Sequence, residues 1–242
     1  KSLNYNKRKS NKIEFIIIHY TAINNFLEAI SHLCDKSKKV SSHYLITQNG
    51  DIYCLVDEKY RAWHAGVSIW KNYKDINSLS VGIELDFSFN GKNKRYSVKM
   101  INSLKKLIKY LLKKYDIKKE NVLGHSDISP YRKIDPGKKF PWHKLNQLNL
   151  TYHPKAKNIL ALNKIRIWFK KNKIYTNEQK ILIMLNVIGY DISKAINNKY
   201  YYGILLNSYR NHFFQRANLK NSNLKLINFI ELHFYNLLLT KV

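Results

Sequence analysis

"IEFIIIH", residues 13–19, is a short, β-branched, apolar run that ends on a histidine. Its length suits a buried strand rather than a membrane span, which needs roughly 18 apolar residues in succession. The elements around it follow. "NNFLEAISHLC" (24–34) reads as a helix, with Asn25 as cap and Glu28 three residues on as in a capping box. Phe26, Leu27, Ile30 and Leu33 then share one face. "HYLITQNGDIYCLV" (43–56) is a hairpin around Asn49-Gly50, and "LSVGIELDF" (79–87) is another buried strand. "SVKMINSLKKLIKYLLKKY" (97–115) is an amphipathic helix with Met100, Ile101, Leu104, Leu107, Ile108 and Leu111 as its apolar stripe. "NVLGH" (121–125) is a short last strand that delivers His125. Strands interleaved with helices make this an α/β domain, closing near Leu150.

Residues 1–12 are polar and basic, a loose lead-in, and 151–172, with Pro154, read as a connection with some helical content. From 173 to 242 the pattern is all helix. Thr176 with Gln179 offers a capping box before "KILIMLNVIG" (180–189), which Gly189 can end. "YYYGILLNSYRNHFFQ" (200–215) and "NLKLINFIELHFYNLLL" (223–239) are apolar enough for two further helices. The expectation is a small helical bundle packed beside the α/β domain or strung behind it.

The 43 Lys and Arg against 16 Asp and Glu give a formal charge of +27. Such a field attracts anionic partners, although a genome rich in Lys, Asn and Ile codons produces the same balance without selection for binding. A nucleic-acid binder would gather basic residues with exposed aromatics; here the lysines coat most helices evenly, so no nucleic-acid partner is expected. Cys34 and Cys54 show no metal spacing and are either free thiols or one disulfide. The first residue is Lys1 rather than Met, as in a mature form freed of an export signal or in a trimmed chain.

The chemistry concentrates at a few positions. His19 ends a strand, His125 follows one, and Asp135 comes ten residues later in "GHSDISPYRKIDPG" (124–137). Two imidazoles and a carboxylate are the ligand set of a catalytic zinc site that keeps a fourth position for water. Pro136-Gly137 fixes the backbone after Asp135. Lys133, two residues upstream in an extended loop, faces the same side and suits an oxyanion. Glu84 sits among Val81, Ile83 and Leu85, where a buried charge needs a cation nearby; it is the candidate general base, with Asp86 as rival. "SSHYLI" and "RAWHAG" supply His43, Tyr44, Trp63 and His64, either a groove wall for a sugar or peptide or a packed loop with an aromatic anchor.

Together "IIIHYTA", "VSSHYLITQNGDIYCLVDEKYRAWHAGVS", "SVGIEL", "GHSDISPYRKIDPG" and "FPW" resemble the zinc-dependent N-acetylmuramoyl-L-alanine amidases of the AmpD/AmiD type, related to phage lysozyme-amidases and peptidoglycan recognition proteins. The pieces fall in the family's order over roughly residues 13–145. The resemblance implies a mixed central β-sheet flanked by helices, with His19, His125 and Asp135 binding one Zn²⁺ per chain, Glu84 as catalytic acid/base and Lys133 as transition-state stabiliser. It makes residues 13–150 the catalytic domain. The reaction implied is hydrolysis of the amide between N-acetylmuramic acid and L-alanine, in peptidoglycan or in muropeptides, anhydro forms included. The alternative is a recognition protein that holds peptidoglycan without cutting it. In the tail, "IGYD" (188–191) and "YRNHFFQ" (209–215) resemble the Gly-Tyr and Phe-x-x-His-Phe motifs of a peptidoglycan-binding helical domain, the second disturbed by Tyr209 and Phe213–Phe214. That match favours a periplasmic location, with an anchor on a removed N-terminal segment as one form of it, over a cytoplasmic recycling role.

Overall fold

The computed structural model describes residues 1–89, 95–154, 159–215 and 222–239. Strands β1 (Tyr5–Lys7) and β2 (Phe15–Tyr20) precede helix α1 (Phe26–Cys34), followed by β3 (Tyr44–Ile46), β4 (Ile52–Cys54) and β5 (Tyr60–Ala62). A short α2 (Ile76–Leu79) leads into β6 (Ser80–Leu85); then come α3 (Val98–Tyr115), β7 (Val122–Gly124), α4 (His125–Ile128) and α5 (Trp142–Asn146). The tail holds α6 (Ile159–Lys171), α7 (Asn177–Ile188), α8 (Lys199–Phe213) and α9 (Ser222–Leu239).

The main sheet runs β4-β3-β6-β2-β7; only the β3–β4 hairpin is antiparallel, so the fold is α/β with a mixed sheet. Successive side chains of a strand point to opposite faces, and the two faces have different cover. Ile16, Ile18, Val81, Ile83, Leu85 and Val122 pack against the apolar stripe of α3, which Ser97 caps by accepting the Met100 N–H. Phe15, Ile17 and Leu123 point the other way, into a cluster with the tail residues Phe169, Met184, Leu185, Leu205, Tyr209 and Ile230. The tail is therefore packed on the sheet rather than strung behind it. His19 and Glu84 continue the tail-facing rows of β2 and β6, beyond the reach of the tail's own core.

Three expectations change. Residues 1–12 are not loose: Ser2 and Asn4 are buried, β1 pairs with β5, and the Arg8 guanidinium donates to the carbonyls of Glu58, Asn77, Ser78 and Ser80. Buried carbonyls at the α2–β6 junction need donors, and Arg8 supplies them. In α1, Asn25 accepts the Leu27 N–H, but Leu27 is 62% exposed; the helix turns Ala29 and Leu33 inward because the small Ala29 lets it approach Leu45 and Leu55. The 151–172 connection is mostly α6, with 155–158 outside the described residues, as are 216–221 and 240–242 of the expected tail. Cys34 and Cys54 are free thiols. Among the described residues no helix is long and apolar enough to cross a membrane.

Candidate metal centre

Three neighbouring parallel strands, β6, β2 and β7, end at one edge of the sheet, where ligands of open α/β sheets bind. Each delivers one group there. His19 of β2 stands in register with Glu84 of β6, and Ile18 is in register with Gly124, which hands the chain on to His125. Asp135 returns in the loop that follows, tied back by the Ser126 N–H to the Asp135 carbonyl (2.8 Å). Gly124 has to be glycine: a Cβ there would lie 2.6 Å from the Pro136 ring that packs against it.

The result is a tight triangle. His19 Nδ1 and His125 Nδ1 are 2.9 Å apart, and each is 3.1 Å from Asp135 Oδ2. The surrounding hydrogen bonds fix which nitrogens carry protons. His125 Nε2 lies 3.0 Å from the Ala65 carbonyl, which can only accept, so Nε2 is the donor there and Nδ1 is the atom left to face a cation. Ser80 Oγ donates to the Ile76 carbonyl (2.6 Å), so it accepts from His64 Nε2 (3.1 Å); His64 Nδ1 is then the acceptor for His19 Nε2–H (3.0 Å). His19 Nδ1 is likewise left to face a cation. Burial pushes the His19 imidazole down to about 4 and His64 well below its ordinary value, which keeps both neutral. Burial alone would raise the Asp135 carboxyl, but the His125 and His19 imidazoles outweigh it and hold the group well below the usual carboxylate range. The two Nδ1 atoms and Asp135 Oδ2 thus converge on one point, a donor set that fits one metal cation.

A cleft of about 310 Å³ opens on this triangle, lined also by Glu84, Lys133, Tyr20, Arg132, His64 and α1 residues. Burial raises the Glu84 carboxyl to about 8, Asp135 adds to the rise, and Lys133 opposes it. Glu84 Oε2 is buried with no hydrogen-bond partner among the described residues, a costly arrangement for a carboxylate unless a cation or substrate completes it. Asp86 lies beyond the end of β6 and does not line the cleft; its N–H bonds Ile46 and its carbonyl accepts from Gln48.

The four expected groove-wall residues separate. His43 is buried: its Nδ1 accepts the Gly82 N–H (3.0 Å) and its Nε2 faces the Tyr60 carbonyl, so it mends the β3–β6 ladder and lines no groove. Tyr44 alternates to the opposite face and donates to Glu58 beside Lys114 and Tyr115. The Trp63 indole N–H bonds Asn6 outside the cleft. His64 does reach the cleft, but behind His19 as its hydrogen-bond partner. Sequence reading missed this arrangement and also Ser80, Tyr20 and Arg132, whose guanidinium donates to the Ala65 and Val67 carbonyls. One signal was present. Ser80, Gly82 and Glu84 share one face of β6, and a strand glycine marks a close approach; a Cβ on Gly82 would sit 2.4 Å from the His64 ring.

Comparison with known proteins identifies a family. Residues 9–138 match the N-acetylmuramoyl-L-alanine amidase family. N-acetylmuramoyl-L-alanine amidase AmiD of Escherichia coli (strain K12) is 40% identical over 163 residues, 61% of this chain and 57% of that protein. The 1,6-anhydro-N-acetylmuramyl-L-alanine amidase AmpD of Haemophilus influenzae is 42% identical over 108 residues, 44% of this chain and 56% of AmpD. The matched stretch thus spans a little over half the length of these curated relatives. Among solved structures, E. coli AmiD in complex with the substrate anhydro-N-acetylmuramic acid-L-Ala-D-gamma-Glu-L-Lys superposes with a TM-score of 0.75 at 28% identity, over 93% of this chain and 91% of that one. With the family matched over more than half its length and the ligand triangle at the strand ends, the chain belongs to the N-acetylmuramoyl-L-alanine amidase family.

Proposed function

We propose that this chain is a zinc-dependent amidase that hydrolyses the bond between N-acetylmuramic acid and L-alanine in peptidoglycan or muropeptides. The observation that carries the reading is the convergence of two imidazole Nδ1 atoms and the Asp135 carboxylate beside the unpartnered Oε2 of Glu84. His19, His125 and Asp135 would hold the ion, which when bound supplies a Lewis acid and a water of lowered pKa. Glu84 takes a proton from the attacking water and returns it to the alanine nitrogen as the C–N bond breaks. Lys133 sits half-buried in the cleft, where its ammonium stabilises the negative charge growing on the carbonyl oxygen. His64 and Ser80 hold His19 in its tautomer.

The relative solved with an anhydro-muropeptide supports this substrate class. A recognition protein that binds without cutting is the second reading; the presence of Glu84 and Lys133 in the cleft favours the enzyme. Export to the periplasm, where the wall lies, belongs to the same proposal, and cell fractionation tests it. For the activity, mass analysis of products from purified sacculi and from anhydro-muropeptides, with and without chelator, is the measurement. Release of free stem peptide by the zinc-loaded chain, abolished by chelator, is expected. Zinc-loaded protein that binds muropeptide and releases nothing would establish the recognition reading instead.

A further inference from the structure

The two tail motifs, "IGYD" and "YRNHFFQ", have no part in the cleft. Both nevertheless lead to the metal loop, and they meet at one residue, Asp127. Its carboxylate is 0% exposed and takes three donors from three parts of the chain. The Gly124 N–H reaches Oδ2 (2.7 Å), the Tyr190 hydroxyl reaches Oδ1 (2.5 Å), and His212 Nδ1 reaches Oδ2 (2.6 Å). A buried carboxylate needs such donors, and two of the three come from the tail.

Each tail donor is itself held. His212 lies flat on Trp142, ring centroids 3.6 Å apart. Tyr190 packs edge-on to Trp70 (4.9 Å), and the glycine before it lets the chain come this close: a Cβ on Gly189 would lie 2.7 Å from the Trp70 ring, and the Gly189 carbonyl accepts from the Lys71 N–H (2.7 Å). Asp127 sits on α4, a single turn whose successive residues each serve the centre. His125 offers its Nδ1, Ser126 ties down the Asp135 carbonyl, and Asp127 pins the turn to the tail. A turn this short has little hydrogen bonding of its own to fix its direction.

We propose that Asp127, Tyr190 and His212 are positioning residues for the metal ligand His125, so that the helical tail completes the metal centre from behind. The residues that resemble wall-binding motifs are spent on this contact. The inference rests on the zinc reading of the His19–His125–Asp135 triangle, and partners of metal-binding histidines typically change metal affinity by 10–100-fold when lost.

The test is zinc affinity, measured on the full-length chain by competition with a chromophoric chelator, alongside thermal unfolding of the metal-free protein. Tyr190→Phe, which removes one hydroxyl, is expected to raise the zinc dissociation constant roughly 3–30-fold. His212→Leu is expected to raise it roughly 10–100-fold, and His212→Asn, whose amide nitrogen can stand where Nδ1 stood, to restore most of the loss. A purely structural role for the tail lowers the unfolding midpoint and leaves the zinc constant unmoved. An unchanged constant in Tyr190→Phe therefore overturns the proposal, even if His212→Leu fails to fold. A wild-type chain that takes up no zinc would bring down the underlying metal reading instead, which separates the two failures.

Discussion

His19 and Glu84 are direct neighbours in register across the parallel pair β2–β6, so one strand pairing sets the distance between a candidate metal-ligand imidazole and the candidate base. A loop-borne pair could drift; a ladder-borne pair cannot without breaking sheet hydrogen bonds. The arrangement separates holding the ion from moving the proton.

That separation predicts two different losses. Asp135→Ala removes the only anionic corner of the triangle and is expected to abolish zinc binding and turnover together. Glu84→Gln keeps the shape of the side chain and all three ligands. It is expected to retain stoichiometric zinc and lose about 10²–10⁴-fold in kcat, the usual contribution of a positioned acid/base. Metal analysis and product assay on the same samples decide; retained turnover in Glu84→Gln moves the base role elsewhere.

The relay behind His19 predicts an effect at residues that touch no substrate. Ser80→Ala deprives His64 of its acceptor and frees its tautomer, and His64→Ala removes the partner of His19 Nε2. Both are expected to weaken zinc binding by roughly 10–100-fold. Gly82→Ala acts on the same relay by sterics, since the added Cβ falls 2.4 Å from the His64 ring. Chelator competition on the three variants checks this; wild-type affinity in all of them would reduce the relay to packing.

Much of this was legible beforehand, and the reason is local. "IEFIIIH", "SVGIEL" and "NVLGH" are strands whose length and composition leave little choice, and His19, Glu84 and His125, at or next to their ends, belong to the candidate site. The ten-residue step from His125 to Asp135 closes through Pro136-Gly137, also a local signal. What failed depended on contacts distant in sequence. His43 and His64 look equivalent in the sequence, yet one mends a ladder and the other backs a ligand, because only one faces the cavity left by Gly82. Likewise nothing near Arg8 announces that four carbonyls from two segments await it. The Asp127–His212 contact spans 85 positions, beyond any periodicity argument.

The charge of +27 predicts a salt effect on substrate capture. Stem peptides carry carboxylates, and a strongly basic surface raises their local concentration at low ionic strength. KM for muropeptides is expected to rise between about 0.01 and 0.15 M salt as the Debye length falls from roughly 30 to 8 Å, with kcat little changed. A KM that does not respond to salt would mean that the lysines reflect composition alone.

The pH dependence of stability gives a further test, for metal-free protein. The raised Glu84 carboxyl keeps its proton in the folded chain up to about 8, whereas the unfolded chain releases it near the ordinary 4.5. Between those values the unfolded state binds fewer protons, so Glu84 makes stability fall as pH rises. The depressed imidazoles of His19, about 4, and His43, about 3, act in the opposite sense, but only up to their ordinary 6.5. Above that pH Glu84 acts alone within this group. Metal-free protein is therefore expected to be most stable near pH 6.5 and to lose about 2 kcal/mol by pH 8, at 1.36 kcal/mol per unit for one proton. That corresponds to roughly 4–8 °C in Tm for a chain of this size. Glu84→Gln has no proton to release and should show no such fall. Zinc should remove it in the wild type too, since a cation beside the carboxylate lowers its pKa. Thermal unfolding at pH 6.5 and 8, with chelator and with zinc, measures all three; an equal fall in Glu84→Gln would show that another group is responsible.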